Sequence, residues 1–217
     1  MRALLVEALG PNYAGCALRE VAPPRPGPGE VLVRIRAAGV NFPDLLQTRG
    51  EYQHKPALPF VSGMEAAGEV VEAGEGAPFK PGDAVVGRGG FAELAVMKDA
   101  RPKPANLSFS EAAAFGTAYL TAYVALVRRA ETKAGEWVLV HGSAGGVGLA
   151  AVDLAKALGA RVIAAGASDD KLAAVQAAYA PDAILNVGGG FREPVKALTG
   201  GRGADVIYDP VGGDVFG

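Results

Sequence analysis

The stretch Trp137-Val138-Leu139-Val140-His141-Gly142-Ser143-Ala144-Gly145-Gly146-Val147-Gly148 decides the fold. A short apolar, β-rich run feeds directly into a cluster of glycines. A helical pattern follows, with Val147, Ala151, Leu154 and Leu158 on one stripe and Gly159 just past its end as a C-cap. Strand, tight turn and helix in this order form a cradle for a pyrophosphate. Glycines let the backbone turn and approach the phosphates, and free N–H groups with the helix dipole neutralise them. Ser143, Gly145, Gly146 and Val147 are the candidate cofactor-binding residues of this loop. An ordinary turn before a helix would show similar glycines. The strand before and the helix after favour a dinucleotide site.

From that loop the pattern runs on in βα units. Strands are expected at 137–141, 161–165, 183–186 and 204–208, with helices at 147–158, 169–179 and 191–198 between them. Such alternation predicts a doubly wound parallel sheet. That fold normally has six strands, and this sequence reaches the fourth, an apparent truncation. Toward the N-terminus the character changes near residue 108. Ser108 and Ser110 can each cap a long helix running to about Arg129, with Glu111 in its first turn. Before it, strands such as Val31–Arg36, read as half-buried, and Glu69–Ala73 alternate with turns. Pro23-Pro24-Arg25-Pro26-Gly27-Pro28-Gly29 excludes both helix and central strand. The chain is thus an α/β protein of two domains: a barrel-like β domain over 1–115 and a dinucleotide-binding domain over 116–217.

Composition narrows the class. Half of the 217 residues are hydrophobic, and a net charge of −2 offers no basic field for nucleic acid. A lone cysteine, Cys16, excludes an internal disulfide framework. The apolar run at Met1–Val6 is too short for a signal peptide, and Ala112–Val127 falls short of a membrane span. A cytoplasmic location is expected.

The ordered motifs Gly39-Val40-Asn41-Phe42-Pro43-Asp44, Leu58-Pro59-Phe60-Val61-Ser62-Gly63-Met64-Glu65, Gly90-Phe91-Ala92-Glu93, Tyr119-Leu120-Thr121-Ala122-Tyr123 and His141 to Gly148 resemble the zinc-free quinone oxidoreductase (zeta-crystallin-like) branch of the medium-chain dehydrogenases. The resemblance implies a GroES-like N-terminal domain, a Rossmann domain and an active site in the cleft between them. It also implies a homodimer for the full-length protein, built through strands beyond this sequence.

Zinc-dependent relatives carry a catalytic cysteine and histidine where this chain has Asn41-Phe42-Pro43-Asp44 and Met64-Glu65. His54 and His141 are the only histidines, and Glu65 lacks evident co-ligands, so no metal is expected. Chemistry then rests on hydride transfer from the cofactor to a quinone or α,β-unsaturated carbonyl, where a hydrogen-bond donor helps the developing oxyanion. The resemblance places Asn41 and Tyr52 at the site as catalytic donors, neither with an evident histidine or carboxylate partner. It assigns Phe42 and Asp44 to the cofactor, although the position of Asp44 also suits a loop or helix-start role. It puts Thr121 beside the nicotinamide. Tyr119 and Tyr123 read as core.

No acid ends the second strand, Arg161-Val162-Ile163-Ala164-Ala165-Gly166, where an NAD-preferring site would hold the ribose. The resemblance gives Ala167, Ser168 and Lys171 to the 2′-phosphate of NADP(H). Asp169 and Asp170 would oppose it if they faced the phosphate, and Val187 stands where some relatives have a tyrosine. Two functions stay open: an NADPH-dependent reductase of quinones or enones, and a nucleotide-binding, crystallin-like protein with little turnover.

Overall fold

The computed structural model describes residues 1–213, which divide into two compact units, the first Met1–Thr117 and the second beginning at Ala118. The first unit is almost wholly antiparallel. Strand β1 (Arg2–Val6) lies between β2 (Cys16–Glu20) and β4 (Phe60–Val61). A five-stranded sheet runs in the order β7 (Leu94–Met97), β3 (Val31–Gly39), β5 (Glu65–Ala73), β6 (Ala84–Gly87), β8 (Arg101–Pro102).

The long pair β3–β5 is its spine. Val31, Val33, Ala66, Val70, Val85 and Met97 bury one core. Val31, Leu32 and Val33 are all buried, so the half-buried alternation expected for this strand holds only from Arg34 onward. The register shift between Leu32 and Val33 marks the change. Strand β5 begins at Glu65, four residues before the run that announced it. A short helix, α1 (Phe42–Arg49), follows β3 and ends on Gly50 in the left-handed region at φ 71°.

Helix α2 (Phe109–Tyr123) opens on a capping box. Ser108 Oγ accepts the N–H of Glu111 at 3.2 Å, and Glu111 returns a carboxylate to the N–H of Ser108 at 2.7 Å. Ser110 lies inside the helix and caps nothing. The helix stops short of Arg129, because Val124–Arg129 widens into π-helical turns. Tyr119 packs against the core and donates its hydroxyl to Asp153 at 2.6 Å. Tyr123 is 44% exposed, which corrects its reading as core.

The second unit is a parallel sheet in the order β11 (Ala183–Asn186), β10 (Arg161–Gly166), β9 (Trp137–Val140), β12 (Val206–Tyr208). Its central strands are apolar on both faces, as burial between helices requires. Val138, Val140, Val162 and Ala164 join α2, α3 (Gly146–Ala157) and α4 (Asp169–Tyr179) in one core. Leu139, Ile163 and Ala165 face the other way, toward Val195 of α5 (Arg192–Leu198). On α3 Gly148, Ala150, Ala151, Val152 and Ala155 are buried, and Val147, Leu154 and Leu158 of the expected stripe pack against the same core as partly buried residues. Small residues there let the helix lie close to the sheet. Among the described residues no helix is long and apolar enough to cross a membrane.

Ile163 is fully buried at the centre of this sheet. Ile163→Ala should cost about 2–5 kcal/mol by leaving a cavity. Urea unfolding followed by circular dichroism should show a lower midpoint at unchanged slope.

Candidate functional site

Two groups of candidate residues stand on the two units. On the second unit, the order β11-β10-β9-β12 reverses direction between β9 and β12, so the crevice where such sheets take ligands opens at the ends of those strands. His141 follows β9, and its N–H donates to Tyr208 O at 2.9 Å, tying the two strand ends together. Gly142 turns the chain at φ 59°. Gly148 then brings α3 back so closely that a Cβ on it would lie 2.2 Å from the Gly142 carbonyl oxygen.

Gly145 and Gly146 face space. A Cβ on Gly145 would meet only Gly142 O, at 3.4 Å, and one on Gly146 nothing within 4 Å. Helix α3 has no side-chain cap and no acid in its first turn. Its first N–H groups, those of Gly146 and Val147 among them, therefore lack an intrahelical partner. Beneath them Ser143 is wholly buried, and its hydroxyl has no hydrogen-bond partner among the described residues. An open glycine face, uncapped helix amides and an orphaned hydroxyl fit an anionic group such as a pyrophosphate.

The next strand end carries Ala167, Ser168 and Lys171. Ser168 is the N-cap residue of α4 without a side-chain cap bond, and Lys171 is exposed with no ion pair among the described residues. Asp169 does not stand loose beside them. Its carboxylate accepts Asn186 Nδ2–H at 2.6 Å, while Asn186 Oδ1 accepts the N–H of Gly188 at 2.9 Å. Sequence reading missed Asn186, because nothing in a lone asparagine at a strand end announces a partner 17 residues earlier. Val187 is half-buried and packs against the cluster of Leu139, Ile163, Ala165 and Val195.

On the first unit, Asn41 is the N-cap residue of α1. Asp44, 1% exposed, accepts the backbone N–H of Asn41 at 2.7 Å through Oδ2. Burial pushes its carboxyl above the usual range; the Asn41 N–H opposes that, and the nearby charge of Glu65 adds to it. This is the helix-start role. Phe42 is 68% exposed, and Tyr52 is half-buried in the segment after α1. Thr121 lies on α2 within the second unit, on an exposed face.

Asn41 does have a carboxylate partner, which corrects the sequence reading: its Nδ2–H donates to Glu65 Oε1 at 2.7 Å. Twenty-four residues separate the pair, and only the pairing of β3 with β5 brings them together. Glu65 Oε2 also accepts the Thr117 N–H at 2.7 Å. A carboxylate engaged on both oxygens, flanked by an asparagine and a methionine, is a poor zinc ligand set. No group of three or more histidine, cysteine, aspartate or glutamate side chains suits a metal among the described residues.

His141 is buried edge-on to Phe191, with ring centroids 4.7 Å apart. Burial holds its imidazole below the ordinary value near 6.5, and the charge of Asp209 pulls the other way. Below pH ~6.5 the unfolded chain binds a proton that the folded chain resists. The stabilisation is complete above that pH and declines as pH falls toward the folded value. The urea midpoint should drop between pH ~7 and ~5, and less steeply in His141→Gln.

Comparison with known proteins places these features in context. A family model described as "Alcohol dehydrogenase GroES-like domain" matches residues 27–104, and one described as "Zinc-binding dehydrogenase" matches residues 146–217. A quinone oxidoreductase-like protein 2 homolog of Nematostella vectensis is 43% identical over 198 residues, covering 88% of this chain and 54% of that protein. The chain thus spans about half the length of that curated relative. A probable oxidoreductase from Mycobacterium abscessus superposes with a TM-score of 0.92 at 40% identity, over 99% of this chain and 71% of that one. The quinone oxidoreductase from Thermus thermophilus, solved also in complex with NADPH, gives 0.85 at 34% identity, over 99% and 68%.

Proposed function

The chain belongs to the quinone oxidoreductase branch of the medium-chain dehydrogenase/reductase superfamily, and on that premise we propose that it serves an NADPH-dependent, metal-independent reduction of a quinone or α,β-unsaturated carbonyl. The observation that carries this reading is the glycine loop at the sheet's switch point, with open Gly145 and Gly146 above the orphaned Ser143 hydroxyl. NADPH, when bound, supplies the hydride.

The chain's own residues bind and orient. Ser143 and the amides of Gly145, Gly146 and Val147 take the pyrophosphate. Ala167, Ser168 and Lys171 take the 2′-phosphate. Asp169 accepts the Asn186 Nδ2–H on Oδ1, which supports the reading that this carboxylate is engaged within the protein. Thr121 serves the nicotinamide end. Phe42 borders the cofactor from the start of α1, and Asp44 acts by fixing that helix.

As hydride arrives, negative charge grows on the carbonyl oxygen of the substrate. Asn41 keeps one N–H beyond the one given to Glu65, and Tyr52 has a phenol O–H. Both serve as donors to that oxygen, and solvent or a bound water then delivers the proton. No step is routed through zinc.

Steady-state NADPH oxidation with a panel of quinones and enones tests the activity. Tight NADPH binding with oxidation no faster than in buffer would favour the nucleotide-binding alternative. For the cofactor, Lys171→Ala should remove a charge-assisted contact worth roughly 1.5–3 kcal/mol. NADPH binding should weaken about ten- to hundredfold. NADH binding should barely move, as read by fluorescence titration of both nucleotides at one ionic strength. Equal losses for the two would mean that the lysine supports only the helix.

A further inference from the structure

Glu65 is a buried carboxylate that the reaction above leaves without a task. It is 8% exposed and makes no ion pair among the described residues. Two N–H donors take the place of a cation: Asn41 Nδ2–H on Oε1 and the Thr117 backbone N–H on Oε2, each at 2.7 Å. Burying a carboxylate is costly, and a charge so placed is retained only where its hydrogen bonds are well made.

The slot around it is formed by backbone. A Cβ on Gly39 would come within 2.5 Å of Glu65 Oε1 and 2.6 Å of the Ala113 carbonyl, and one on Gly116 within 3.1 Å of Oε2. Glycine at the end of β3 and glycine in α2 are therefore what admit the carboxylate. Glu65→Ala would satisfy the strand and take the carboxylate away from both donors.

The carboxylate has a second consequence. It can only accept, so the Asn41 carboxamide must turn its nitrogen, not its oxygen, toward Glu65. The amide's flip is fixed by charge, and its backbone is fixed separately by Asp44 Oδ2 on the Asn41 N–H. With both held, one N–H of the carboxamide remains to be aimed.

We propose that Glu65 is a positioning residue: it sets the orientation of the Asn41 carboxamide so that the remaining N–H meets the reacting oxygen. The proposal rests on Asn41 being the oxyanion donor, as argued above. Glutamine at residue 65 keeps the size but can offer its own NH2 to Asn41, which lets the Asn41 amide turn over.

Two measurements on the 217-residue chain test it. In ¹⁵N-resolved spectra, one proton of the Asn41 side-chain amide should be shifted downfield and slow to exchange, and Glu65→Gln should abolish both features. An Asn41 amide pair at ordinary shifts in the wild type, or one unchanged in Glu65→Gln, overturns the positioning. The second measurement is a double-mutant cycle on kcat. Asn41→Ala should lower kcat by about 10²- to 10³-fold, as loss of an oxyanion donor does. Glu65→Gln should lower it about 10- to 100-fold through misplacement, with the KM for NADPH little changed. The double variant should be no slower than Asn41→Ala.

Losses that multiply would show that Glu65 acts on the fold and not through Asn41, and would overturn the proposal. Wild-type kcat in Asn41→Ala would instead sink the donor assignment on which it rests. If the wild type turns nothing over, the functional reading fails while the spectra still decide whether Glu65 holds the amide.

Discussion

Where α3 leaves the glycine turn, the Gly148 backbone passes so near the Gly142 carbonyl that a methyl group there would overlap it at 2.2 Å. The second unit depends on that approach. It lets Ala151, Val152 and Ala155 reach β9 and β10, and it leaves the amides of the first turn pointing outward from an uncapped end. The same crossing is tied to the neighbouring strands by Ser143 N–H to Ala165 O at 3.0 Å and His141 N–H to Tyr208 O at 2.9 Å. The candidate binding surface and the packing solution are one piece of backbone.

The strongest periodic signals in the sequence are those the structure repeats. Strand and helix alternation from Trp137 places β9, β10 and β11 within a residue of where they lie, and α4 spans the predicted 169–179. Local chemistry explains this: apolar β-branched runs, Ser108-x-x-Glu111 and Gly159 each act through neighbours a few residues away. Where burial is decided by distant partners the reading slips. Val31–Val33 lose their alternation where the β3–β5 register shifts between Leu32 and Val33.

The candidate sites divide along the same line. The strand, glycine turn and helix from Trp137 to Ala157 are contiguous in sequence, so their geometry was legible. The Asn41–Glu65 bond was not, since it is created by the antiparallel register that sets Gly39 opposite Glu65. Nor was Asn186–Asp169, which joins the end of β11 to the first turn of α4. The sequence shows an asparagine and two acids there, and only the fold says which of them meet.

These pairs share a physical theme. Elsewhere some carboxylates meet cations, as in Arg2–Glu93, Arg19–Glu7 and Arg36–Glu69, and others meet backbone N–H groups, as Glu111 does. Around the candidate sites they meet N–H groups: Glu65 with Asn41 and Thr117, Asp44 with Asn41, Asp169 with Asn186, and Asp209 with Val211 and Gly212. For Asp209, burial raises the carboxyl, but the N–H groups of Gly212 and Val211 outweigh it and hold the group below its usual range. An amide dipole orients a carboxylate without adding a mobile cation that could pair with an incoming phosphate. Lys171, in the first turn of α4, is exposed and makes no ion pair among the described residues, so no acid described there competes for its charge.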